Sequence, residues 1–134
     1  MRIALLLLTL ILAPICAHAT DDASTAQSVI RRQEQALARD DAAAAYAQSA
    51  PEIHAMFPSP DIFMAMVRQG YAPVYRHKSF EFGEMKADGG TIAQRVHIVD
   101  ANGEAWEALY TLEQQPDGSL KITGCSLLKA GDSV

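Results

Sequence analysis

The chain has 134 residues, 49% of them hydrophobic, and a formal charge of −5. That is enough for one domain with a core of its own, and no more. The charges are interspersed without a basic stripe, which argues against a nucleic-acid partner, and a mildly acidic surface mainly favours solubility.

The first segment reads as a leader and not as fold. Arg2 supplies a positive start, Ala4 to Ile15 is almost wholly apolar, and Ala17-His18-Ala19 is a small-x-small cleavage site. This pattern predicts a secretory signal peptide over 1–19 and a single α+β domain over 20–134, exported to the periplasm or secreted. The apolar run is short for a membrane span, so no membrane association is expected after cleavage. A retained anchor and a lipid on Cys16 are the alternatives, and the large Ile15 disfavours the second. Loss of the leader removes Arg2 and takes the charge to −6. It leaves Cys125 as the remaining cysteine, so no intrachain disulfide is expected and a buried thiol is the commoner outcome.

After a polar stretch over Thr20 to Ser24, the spacing of Val29, Ile30, Gln33 and Leu37 predicts a helix over Thr25 to Arg39. Asp41 is placed to cap a second, alanine-rich helix over Ala42 to Gln48, which carries Tyr46. Ser49-Ala50-Pro51-Glu52 has the form of a capping box before a short turn with Ile53, Met56 and Phe57. Ser59-Pro60-Asp61 opens a clearer helix with Ile62, Phe63, Met66 and Val67, and Gly70 is its expected stop. Tyr71 to Tyr75 is expected to be extended, because Pro73 disfavours helix at Ala72.

From Phe80 the apolar period changes to two. A hairpin is predicted at Asp88-Gly89-Gly90-Thr91, with strands over Thr91 to Val99, Glu104 to Glu113 and Leu120 to Leu128. Trp106, Tyr110, Leu112, Leu120, Ile122 and Leu128 are placed on one face. If Ala101-Asn102-Gly103 forms the loop with Gly103 left-handed, Ile98 faces Trp106 and Val96 faces Ala108. Ile92 then faces Leu112, and His97 lies outside opposite Glu107. A slip of one residue would drive Arg95 and His97 into the apolar face, so burial selects this register. The same turn at Pro116-Asp117-Gly118 sets Leu112 opposite Ile122, Glu113 opposite Lys121 and Leu109 opposite Cys125. In the strand from Phe80 to Lys86, a bulge at Gly83 would bring both Phe82 and Met85 to the core.

Helices first and an antiparallel meander after them give an α+β fold, with helices packed on one face of a curved sheet. This order resembles the cone-shaped, cystatin-like fold of the nuclear-transport-factor-two-like (SnoaL-like) proteins. The stretches Val29-Ile30-Arg31-Arg32-Gln33, Met66-Val67-Arg68-Gln69-Gly70-Tyr71 through Tyr75, Trp106-Glu107-Ala108-Leu109-Tyr110 and Gln115-Pro116-Asp117-Gly118 through Cys125 carry a closer resemblance. They are similar to an uncharacterised, exported bacterial family, domain of unknown function 4864. The resemblance spans nearly all of the predicted mature chain. It implies fold and export, and it brings no activity and no catalytic residues.

A cone of this kind implies a pocket between sheet and helices, lined by Tyr46, Met66, Gln94, Trp106 and Tyr110, with Tyr71 and Tyr75 near its mouth. Apolar walls with a few polar tips suit a small apolar organic ligand; the alternative is a filled core whose tyrosine hydroxyls reach backbone carbonyls. His54, His77 and His97 lack metal-ligand spacing, so no metal and no cofactor is expected. An enzyme built on this cone would need a buried carboxylate, for which Glu81 and then Asp100 are the candidates, both near strand ends. The reading is therefore a non-catalytic binding or interaction module, with a small lyase or isomerase acting in the cone as the alternative. Val99, Leu109, Cys125 and Leu127 form an apolar patch on the outer face in the chosen register, through which a homodimer is expected; the alternative is a cover by the C-terminal tail or the first strand.

Overall fold

Ala26, Val29, Ile30, Gln33, Ala36 and Leu37 recur along one face of the first helix, and all are buried. This stripe is the surface against which the rest of the chain packs. The structure, a computed structural model, describes residues 18–131. Five helices, α1 (His18–Ala38), α2 (Ala42–Tyr46), α3 (Pro51–Met56), α4 (Pro60–Gly70) and α5 (Ala72–Tyr75), precede four strands, β1 (His77–Asp88), β2 (Thr91–Asp100), β3 (Ala105–Gln114) and β4 (Leu120–Lys129). The strands form one antiparallel meander in the order β1-β2-β3-β4, with the helices on its inner face. The fold is α+β, as the element order predicts. The expected leader lies outside the described residues, apart from His18 and Ala19 at the start of α1.

Several helix boundaries differ from expectation, each for a local reason. α1 begins at His18 and not at Thr25; no glycine or proline interrupts the intervening residues. It ends with Asp40 in the left-handed region at φ 57. Asp41 N–H donates to the Ala36 carbonyl (2.8 Å) and Asp40 N–H to the Leu37 carbonyl (3.1 Å), a Schellman closure with aspartate where glycine is usual. Asp41 caps α2 through Ala44 N–H (3.1 Å), and Ser59 caps α4 through Ile62 N–H (3.2 Å), as expected. The capping box at Ser49 does not form. Ala50 occupies the N-cap of α3 without a side-chain bond, and the Ser49 hydroxyl instead accepts from the Gln33 amide (3.2 Å). Tyr71 to Tyr75 is not extended. Pro73 lies in the first turn of α5, where its missing N–H has no helical partner to lose, and Gly70 is the last residue of α4 with Tyr71 as cap.

The β2–β3 hairpin holds the predicted register. Gly103 is left-handed at φ 83, and the pairs Ile98–Trp106, Val96–Ala108, Ile92–Leu112 and His97–Glu107 form across β2 and β3. Arg95, not His97, makes the ion pair with Glu107, at 3.3 Å. β1 bulges between Phe82 and Met85, and both side chains pack against the core. A Cβ at Gly83 would come within 2.6 Å of His97 Nε2, so a larger residue there would require the exposed His97 ring to move aside.

The last strand departs from expectation half-way along. Leu112–Ile122 and Glu113–Lys121 pair as predicted, but Thr111 pairs with Gly124, and Thr123 is the extra residue of a second bulge. Beyond it every side chain changes face. Cys125 lies opposite Tyr110 and Leu127 opposite Ala108, both on the inner face, while Leu109 faces Ser126. Leu128, expected inside, is 46% exposed opposite Glu107. The outer patch of Val99, Leu109, Cys125 and Leu127 is therefore divided between the two faces of the sheet, because the bulge turns its last two members inward.

Candidate functional site: a cavity between sheet and helices

The β4 bulge turns Cys125 toward the helices, where Ile122 to Ser126 form one wall of a cavity of about 410 Å³. Tyr110 of β3 closes the floor, with Gln33 and Leu37 of α1 beside it. Ile53 and Met56 of α3, Phe57, and Phe63, Met66 and Val67 of α4 make the opposite wall, and Tyr71 and Val74 complete the ring. Met56 is 63% exposed and Ser126 is also exposed, so the cavity opens to solvent past these two residues.

The polar groups of the wall are few, and most are engaged. Gln33 is buried and gives its amide N–H groups to the Ala45 carbonyl and the Ser49 hydroxyl, both at 3.2 Å. The Tyr71 hydroxyl donates to the Cys125 carbonyl at 2.9 Å, which ties the α4–α5 junction to the edge strand β4. Tyr110 is only 2% exposed, and burial, with the Cys125 thiol against its hydroxyl, holds its pKa well above the usual tyrosine value. Burial likewise pushes the Cys125 thiol up to about 12, a shift partly offset by the hydrogen bond with Tyr110. Burial also raises Tyr71. At neutral pH all three groups therefore keep their protons.

Of the residues expected to line the pocket, Met66, Tyr71 and Tyr110 do so. The other four stand elsewhere. The Tyr46 ring stacks on His54 (3.8 Å between centroids), and its hydroxyl donates to the Phe57 carbonyl (2.7 Å), so it lies behind the wall. Tyr75 is at the surface, hydrogen-bonded to Asp40, with the Arg76 guanidinium 3.9 Å over its ring. Gln94 is fully buried beneath the β1 bulge, where its amide donates to the carbonyls of Gly83 (3.1 Å), Glu84 (3.3 Å) and Arg95 (2.8 Å). Trp106 sits at the far end of the inner face, its indole N–H on Asp100 Oδ2 (2.9 Å). The cavity residues missed from the sequence come mainly from α1, α3 and the β4 bulge. Glycine at 124 carries the same bulge signal as Gly83 and would have pointed to Cys125.

Neither candidate carboxylate is in the cavity. Glu81 is exposed on β1. Asp100 closes the β2–β3 loop, accepting from the Trp106 indole and from the N–H groups of Asn102 and Glu104 (both 2.9 Å). These bonds, the indole's first, hold its carboxyl below the usual range. Among the described residues no group of three or more His, Cys, Asp or Glu side chains is arranged to hold a metal ion.

Sequence comparison decides the family. The profile described as a domain of unknown function (DUF4864) matches residues 19–133. The chain belongs to the DUF4864 family. No protein of curated function matches this DUF4864 chain in sequence. Its fold is similar to that of an NTF-2 like protein of unknown function from Silicibacter pomeroyi DSS-3, at 15% identity and a TM-score of 0.59, over 83% of this chain and 98% of that one. A weaker likeness, 13% identity and a TM-score of 0.43 over 77% and 88% of the two chains, is to an NTF2-like protein of unknown function from Burkholderia pseudomallei K96243. The DUF4864 fold is thus NTF2-like, and the family and both structural relatives are described as of unknown function.

Proposed function

We propose that this protein is an exported, non-catalytic module that binds a small, largely apolar organic molecule in the cavity between sheet and helices. The observation that carries the reading is the cavity itself. At about 410 Å³ it falls in the range of small-molecule sites, and its apolar wall with a few convergent polar groups has their usual composition. Export rests on the sequence of the first nineteen residues, with Arg2, the apolar run and Ala17-His18-Ala19. The lyase or isomerase alternative draws less support. Its carboxylates lie outside the cavity, and Tyr110 and Cys125 are held protonated by burial, which suits a fixed hydrogen-bonding surface better than a base or a nucleophile.

Thermal unfolding with decan-1-ol and with naphthalene tests the reading. A bound probe at a hundredfold excess over its Kd stabilises by about 2.7 kcal/mol, which raises Tm by several degrees. We expect that rise in the wild type and its loss in Met66→Trp, where the indole would fill the cavity. Absence of a shift with either probe would overturn the reading.

A further inference from the structure

We infer that the cavity selects uncharged ligands and rejects anions of the same shape. This inference rests on the binding reading above and names its ligand class. Among the described residues the wall contains no arginine, lysine or histidine. The basic side chains on the flanking elements are engaged elsewhere. Arg31 and His77 pair with Glu34, the latter at 3.4 Å. Arg76 holds Asp40 (3.0 Å) and the Leu37 carbonyl (3.0 Å), and Lys121 donates to the Ala47 carbonyl (2.8 Å). Arg68 stands with Tyr75 and Asp40, and His54 is stacked on Tyr46 with Nε2 2.9 Å from the Tyr46 carbonyl.

The groups that do face the cavity make an anion worse placed still. The Tyr71 proton already serves the Cys125 carbonyl, so its oxygen turns lone pairs outward. Both N–H bonds of the Gln33 amide are used. The Glu34 carboxylate, on α1 behind the floor, lies near enough to Tyr110 to act on it electrostatically. An anionic head group in this setting would lose its water and find no countercharge. A carbonyl, hydroxyl, ether or aryl amine group requires only a hydrogen bond, and Tyr110 with Cys125 provides one at the floor. The ligand class is accordingly a neutral apolar molecule with one hydrogen-bonding group, seated polar end first against Tyr110.

Two fluorescent probes that differ by one sulfonate isolate the charge. N-phenyl-1-naphthylamine is neutral, and 8-anilinonaphthalene-1-sulfonate is the same skeleton with a fixed negative charge. Titration of each into the purified protein at neutral pH should give at least tenfold tighter binding of the neutral dye. Decan-1-ol should displace it and decanoate should not. In Met66→Trp the neutral dye should lose its site, with circular dichroism confirming that the variant is folded; undiminished binding there would overturn the placement. Equal affinities for the two dyes would overturn selection by charge while leaving the cavity as a binding site. Failure of both dyes to bind would remove the binding reading and this inference with it.

Discussion

Cys125 is a thiol whose chemistry is set by its surroundings. Burial raises it from the ordinary 9.0 to about 12, so the folded chain retains a proton that the unfolded chain releases at lower pH. The sign follows: this contribution to stability is fully present below pH 9, and is lost as the pH rises from there toward 12. Each pH unit within that window removes at most about 1.4 kcal/mol for one such group. Tyr110, also raised by burial, adds a loss of the same sign above its own ordinary value of 10.0. Urea denaturation from pH 7 to pH 11 should therefore show a steeper decline in the wild type than in Cys125→Ala. Parallel curves would mean that the thiol titrates normally. The same residue shows what the sequence could not convey. Met66 and Tyr110 were legible as cavity residues because helix and strand periodicity point them inward, and Tyr71 because the cone resemblance set it near the mouth. Tyr46 and Tyr75 carry the same side chain as Tyr71 and Tyr110, and only tertiary contacts (a stacked histidine, a surface aspartate with two arginines) separate those rings from the site.

Strand β4 shows the same limit for a whole element. Its first half was legible because one register buries Ile122 and pairs Glu113 with Lys121. Its second half was not, because Leu127 and Leu128 are both apolar and either can face inward. Burial decides a register only where the two faces differ. The bulge at Thr123 settles it, and Thr123 Oγ1 meets Thr111 Oγ1 at 3.0 Å to hold it. Gly124 has little room to become anything else, since a Cβ there would lie 3.1 Å from Thr111 Oγ1. Engineered cysteines read this register directly, because disulfides form only between suitably opposed positions. In a Cys125→Ala background, Leu109→Cys with Ser126→Cys should oxidise to an intrachain disulfide. Leu109→Cys with the native Cys125 should not, since the two side chains lie on opposite faces. Mass spectrometry after mild oxidation distinguishes the outcomes, and a Leu109→Cys to Cys125 crosslink would reject the bulged register.

At the scale of the molecule, helices lie on one face of a curved meander, and the family match covers almost the same stretch as the domain read from the sequence. The fold class was legible because the apolar period switches once, from helical to alternating, near β1. The proposed export is likewise tested on the whole chain. Periplasmic or culture-medium protein should have an intact mass starting at Thr20, because Ala17 and Ala19 satisfy the cleavage requirement. A mass that retains residues 1–19, or carries a lipid on Cys16, would contradict export by this route.

The bulge that brings Phe82 and Met85 to the core also shapes how the molecule meets its neighbours in a crowded compartment. β1 is an outer strand of the meander, and a long straight outer strand is a template on which other chains can stack into fibrils. Here the strand is bent at Gly83 and studded with the exposed side chains of Lys78, Glu81, Glu84 and Lys86. A second chain approaching that border would find its hydrogen-bonding groups out of step and its path lined with charge of both signs. The irregularity thus doubles as a guard against runaway polymerisation, and straightening β1 would expose that border to amyloid-like growth even if the cone itself remained folded.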